Sequence, residues 1–232
     1  MKLICYLHLL LVFFASCNRP LDSHIKEKEI SVPASCHQRI LPADFEKRKL
    51  HHPGTTMSMQ QLHDLATILN ETQPTKQQAV DQLLQQTLKD FQPTVVENLK
   101  IDYEKTDEMK RQHRVLVEES SVQAYLQAIA FIVTCDEAYA KKSLQILHAW
   151  STNNKSFSGE NAPLEAAWAV SNMARAAELL KYTYRDWDIL VEERFLKWTK
   201  NLLEPQINRQ VQWQFNKWHN TGIQASLKPS YK

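Results

Sequence analysis

The sequence predicts an all-α protein built from successive helical hairpins. Three observations carry that prediction. Beyond about residue 58, apolar residues recur at the spacing of a helix face. No strand-like alternation stands out in any stretch. The 232 residues include only 3 glycines, too few for the many tight turns of an all-β fold or for a glycine-rich phosphate loop. Hairpins of this kind pack as a bundle, a solenoid or a closed toroid. No strict repeat period is visible, which weighs against a regular solenoid.

Lys2 and the apolar run from Leu3 to Ala15 read as a secretory signal, too short and one-sided to span a bilayer. Its end, Phe14-Ala15-Ser16-Cys17, resembles the lipobox of bacterial lipoproteins. Residues 1–17 are therefore expected to be a lipoprotein signal peptide, with Cys17 the lipidation site and the membrane a partner through that anchor. Such a protein is exported to the periplasm or cell surface. The alternative is ordinary cleavage that leaves Cys17 a plain thiol. Residues 18–40 are polar and suit a flexible tether. Residues 41–232 are then the folded helical domain.

Composition excludes several function classes. A net charge of +2 is too small to argue for nucleic acid. Cysteines 5, 17, 36 and 135 do not form a disulfide framework, although a Cys36–Cys135 bridge suits an oxidising compartment. No Cys/His cluster has zinc spacing, and His51-His52 is adjacent rather than four apart. No metal and no cofactor is expected.

The residues from Pro42 to Gly54 read as an irregular lead-in. Ser58 can cap a helix to about Asn70, burying Met59, Leu62, Leu65, Ile68 and Leu69. Pro74 opens a second helix to about Asp90. Gln92 to Arg114 is charged and weakly periodic, and reads as a long connection containing Tyr103. Helical pattern resumes at about Glu118, with Tyr125, Leu126, Ile129 and Ile132 on one side. Asp136 caps the next helix, and the short Thr134-Cys135 link makes the two antiparallel neighbours. Asn153 to Asn161 is a polar loop. Asp186 is expected to cap a long later helix that Pro205 ends. The last element, Val211 to Leu227, is aromatic-rich at its start.

The most informative stretch is Asn161 to Thr183, NAPLEAAWAVSNMARAAELLKYT. Pro163 suits a first helical turn, and Glu165 places a negative charge near the positive helix end. The alanines favour helix and let another backbone come close. Trp168, Asn172 and Arg175 share one face, an indole, an amide and a guanidinium that could line a cleft for a polar ring. The plainer reading is a core Trp with Asn and Arg at its solvated edge.

The second informative stretch is Trp213-Gln214-Phe215-Asn216-Lys217-Trp218-His219-Asn220-Thr221-Gly222. If helical, it puts Asn216, His219 and Asn220 on one face. A histidine can move a proton near neutral pH, amides donate to carboxylate oxygens, and the faces of Trp213 and Trp218 can stack on sugar rings. The plainer reading is a helix start with a surface His and two Asn suited to capping.

Three blocks, HPGTTMSMQQLHDLATIL (52–69), LVEESSVQAYLQAIAFIVTCDEAYAKKSLQILHAWS (116–151) and NAPLEAAWAVSNMARAAELLKYT (161–183), together resemble the alginate lyase family of polysaccharide lyases. FNKWHNTG (215–222) stands where such enzymes carry an Asn/His catalytic motif. The resemblance covers roughly residues 50 to 227. It implies an (α/α) toroid of helical hairpins and β-elimination on a uronic-acid polysaccharide. His219 is then the candidate base, with Asn216 or Asn220 neutralising the substrate carboxylate beside Arg175. Trp168, Asn172, Arg175, Trp213 and Trp218 are the candidate substrate-binding residues. The family often has adjacent Asn-Asn-His, whereas here Lys217-Trp218 separates Asn216 from His219. Related enzymes also use a Tyr, usually later in the chain; here only Tyr231 follows the motif. The toroid is expected to be incomplete, since the chain stops at Lys232 where further helices normally follow.

Two other readings compete. A non-catalytic glycan-binding domain, or inactive lyase fragment, would keep the Trp-lined cleft without a complete acid/base set. A glycoside hydrolase would need two opposed carboxylates, for which Glu165 and Glu178 are available.

Overall fold

The computed structural model describes residues 57, 59–70, 73–102 and 108–213. Its elements in chain order are α1 (Met59–Ala66), a 3₁₀ turn (Ile68–Asn70), α2 (Pro74–Gln86), β1 (Asn98–Lys100), α3 (Glu108–Thr134), α4 (Glu137–Asn153), β2 (Ser156–Ser158), α5 (Ala162–Thr183), α6 (Ile189–Trp198), a π-helical segment (Thr199–Leu203) and α7 (Glu204–Trp213). The protein is mostly helical, in line with the all-α expectation.

The centre of the structure is α3. From Ala124 to Val133 every side chain is buried, so this stretch is covered on all sides. The helix begins ten residues earlier than its apolar pattern does. Its polar first turns hold themselves by local pairs: Glu108 with Arg111 at 2.6 Å and Arg114 with Glu118 at 3.1 Å. Cys135 ends it with φ 57°, a left-handed cap, and donates its N–H to the Phe131 carbonyl. Cys135 is also disulfide-bonded.

α4 turns back along α3 as an antiparallel neighbour. Asp136 caps it as expected, accepting from the Ala138 N–H at 2.9 Å. Trp150, Ile146 and Leu147 have no exposed surface, and each such side chain contributes about 1.5–3 kcal/mol of hydrophobic stabilisation. α5 lies against α3, and α6 lies against α4. Two polar contacts set the direction of that second pair: Arg194 with His148, and Trp198 Nε1 donating to Asn154 Oδ1. Both helices end together, so α4 and α6 are parallel. Among the described residues, the antiparallel pair α3/α4 is thus matched by α5 beside α3 and α6 beside α4.

Three boundaries differ from the sequence reading. α6 is capped by Asp188, which accepts from the Leu190 N–H at 2.8 Å, not by Asp186. Asp186 is instead paired with Arg185 on the surface. Pro205 does not end the helix. The backbone stays helical from Ile189 to Trp213, because the turn before the proline is π-helical and Glu204 N–H bonds to the Thr199 carbonyl. The wider turn accommodates a residue that lacks an N–H and crowds the preceding turn. After it the helix leaves α4 and packs as α7 on α5.

The third difference is a small parallel sheet within the segments read as loops. β1 pairs with β2, in register Leu99 opposite Phe157. Asn154 fastens it, donating to the Val96 and Ser156 carbonyls and accepting from Trp198. Three residues per strand are too few to show an alternation in sequence. The sheet ends at Gly159, whose φ is 108° and whose missing Cβ would lie 2.1 Å from the Ile101 carbonyl oxygen. Only glycine fits there. From this fixed point the chain enters α5.

Candidate active site

The side chains of interest on α5 face a matching row on α3. Arg114 Nε stands 3.6 Å from Glu165. Asn172 Nδ2 donates to Ser121 Oγ at 3.4 Å. The Arg175 guanidinium lies over the Tyr125 ring, 6.0 Å from its centre. These rungs advance together along both helices, so α3 and α5 run parallel and in register. Arg114, Glu118, Ser121 and Tyr125 are spaced at i, i+4, i+7 and i+11, one stripe of α3. The result is a polar seam between two packed helices.

The structure places Trp168, Asn172 and Arg175 along this seam. Asn172 is buried, while Trp168 and Arg175 are half-buried. Trp168 and Arg175 are thus partly open to solvent, while Asn172 is not. Arg175 has the planar fork that suits a carboxylate. This differs from the plainer reading, a core Trp with Asn and Arg at its solvated edge, since Trp168 is half-buried and Asn172 is buried with a partner on α3.

Glu165 departs from its sequence reading. It is 1% exposed. Its Oε1 accepts from Asn161 Nδ2 at 3.1 Å, and its Oε2 is buried without a partner. Burial first, and then the neighbouring Glu118 carboxylate, push its pKa up to about 9, against the pull of Arg114. At neutral pH it is an uncharged acid, not an anion at the helix end.

Glu165 and Glu178 do not form the opposed pair that a glycoside hydrolase needs. Both are 1% exposed and both sit on α5. Thirteen residues of one helix separate them by about 20 Å, against the roughly 5–9.5 Å of catalytic carboxylate pairs. That reading is set aside.

Asn216, Trp218, His219 and Asn220 lie outside the described residues, and so do Cys17 and Tyr231. Trp213 is the last residue of α7, and its side chain is not described. Among the described residues, no group of three or more His, Cys, Asp or Glu is placed to hold a metal ion. Also among them, no helix is long and apolar enough to cross a membrane.

Sequence reasoning recognised α3 from about Glu118 but treated residues up to Arg114 as a connection, and it did not single out the polar row of α3 as a partner for α5. The signal was present in the four-residue stripe of polar groups, hidden because a polar stripe reads as a solvated face.

The family model for alginate lyase matches residues 56–227, which includes every described element and the FNKWHNTG block. The chain belongs to the alginate lyase family. No curated protein and no solved structure gives a significant match. Membership in this family implies a polysaccharide substrate.

Proposed function

We propose that this protein cleaves a uronic-acid polysaccharide of the alginate type by β-elimination. The observation that carries the reading is the row of Trp168, Asn172 and Arg175 on the α3/α5 seam of an alginate lyase family chain. Trp168 stacks on a sugar ring, and Arg175 and Asn172 bind polar groups around it. With Asn216 or Asn220, Arg175 neutralises the C5 carboxylate, which makes the C5 proton acidic. His219 removes that proton. The C4–O4 bond breaks, a C4–C5 double bond forms, and the departing O4 takes a proton from a general acid. Trp213 and Trp218 extend the stacking surface. The protein is exported and held at the membrane through a lipid on Cys17.

The test is ultraviolet absorbance over time with the protein and a panel of alginate, glucuronan and related polymers. The unsaturated uronate product absorbs, and hydrolysis products do not. Rising absorbance that disappears in His219→Ala supports the proposal. Folded protein that binds the polymers without any rise would make it a glycan-binding domain instead.

A further inference from the structure

Arg114 is absent from the set of groups just assigned, yet it occupies the same seam. Its side chain is 42% exposed, while its two anchors, Glu118 and Glu165, are 17% and 1% exposed. A reachable guanidinium is thus held from below by two carboxyl groups, both of which approach its Nε. Burial and the neighbouring Glu118 raise the pKa of Glu165, which weakens it as a counter-charge to Arg114. Among the groups that bear on Glu165, both charged ones, Arg114 and Glu118, come from α3, and Asn161 comes from the turn before α5. From α7, Arg209 donates to the Gly159 carbonyl beside that turn.

Spacing gives the arrangement its meaning. Arg175 sits over Tyr125, three turns of α3 beyond Arg114, or about 16 Å at 1.5 Å per residue. That separation is longer than one sugar ring. The two arginines stand at opposite ends of the seam, a spacing that suits two uronates of one chain.

We infer that Arg114 is a second carboxylate-binding group for a polyuronate chain, positioned by Glu118 and Glu165 at a subsite removed from Arg175. This rests on the proposed function above. Glu165 is a positioning residue: its Oε1 receives Asn161 and faces Arg114, and it is too deep to touch substrate.

The experiment measures KM and kcat of the full chain on alginate, and in parallel the affinity for alginate oligomers by calorimetry, with neutral cello-oligomers as control. Arg114→Gln should raise KM roughly tenfold or more, the loss expected for a charge-assisted contact, and leave kcat within about twofold. The penalty should shrink as salt rises, because added ions already screen the lost attraction. Glu165→Ala should raise KM in the same way, and Glu165→Gln, which keeps an acceptor for both Asn161 and Arg114, should restore most of it. Arg114→Lys, which keeps the charge without the fork, should fall between wild type and Arg114→Gln. An unchanged KM and oligomer affinity in Arg114→Gln, with wild type active, would overturn the inference alone. Wild-type protein that neither cleaves nor binds alginate would overturn the proposed function and this inference together. Binding without cleavage would leave the inference standing on the affinities.

Discussion

Glu165 illustrates how far the chemistry of one residue can depart from what its position in the sequence suggests. A glutamate four residues past Asn161, in the first turn of a helix, reads as a favourable charge on the helix dipole. Burial against α3 reverses that, since a desolvated carboxyl beside the Glu118 carboxylate holds its proton. The consequence for stability has a definite sign. Between its ordinary value of 4.5 and its folded value of about 9, the folded chain keeps a proton that the unfolded chain releases. The stabilisation is therefore complete below the lower value and is lost as pH rises towards the upper one. Thermal melts across this window should show a falling midpoint for wild type and a flatter profile for Glu165→Gln; parallel profiles would contradict the assignment. Trp168, Asn172 and Arg175 were legible as a shared face because helical spacing fixes direction. Their partners Ser121 and Tyr125 were not, because contacts between elements lie outside any local pattern. At Gly159 the requirement is backbone geometry. Gly159→Ala, with φ 108° and no room for a Cβ, should destabilise by about 2 kcal/mol or more in denaturant melts.

At the scale of elements, apolar periodicity located the helices well where they are buried and poorly where they are polar. α5 spans Ala162–Thr183, as its proline start and alanine-rich run suggest. α3 begins at Glu108 instead of Glu118 because its first turns are stabilised by ion pairs rather than by an apolar face. The cap of α6 gives a clean discrimination. Asp188→Ala removes the acceptor for the Leu190 N–H and should cost about 1 kcal/mol, whereas Asp186→Ala, on the surface, should stay within about 0.5 kcal/mol. Equal costs in the two variants would argue against the observed boundary. β1 and β2 were invisible to periodicity, and a buried side chain fixes them in place. Asn154 is 2% exposed and joins the strands to α6 through Val96, Ser156 and Trp198. Asn154→Ala leaves those buried groups without partners and should cost about 2–4 kcal/mol in the same melts.

The whole molecule, as far as it is described, is a set of helices packed about α3, whose pairing with α5 carries a polar seam through an apolar core. A polar row in that place needs a reason, because an apolar row would pack as well without the cost of burying amides and carboxyls. Family membership provides one, and the fold class was legible early because glycine scarcity and helical spacing point the same way. The seam was legible only in part, since both helices were recognised but the first ten residues of α3, which carry Arg114, were read as a connection. The central claim is that this seam binds the polysaccharide that the enzyme cleaves. The most direct measurement is the initial rate of ultraviolet absorbance on alginate for wild type and Arg175→Ala, with circular dichroism to show that both are folded. The account predicts a rise for wild type and a fall in kcat/KM of about a hundredfold for the variant, roughly the loss of a strong charge-assisted contact. Equal rates in the two proteins would contradict it.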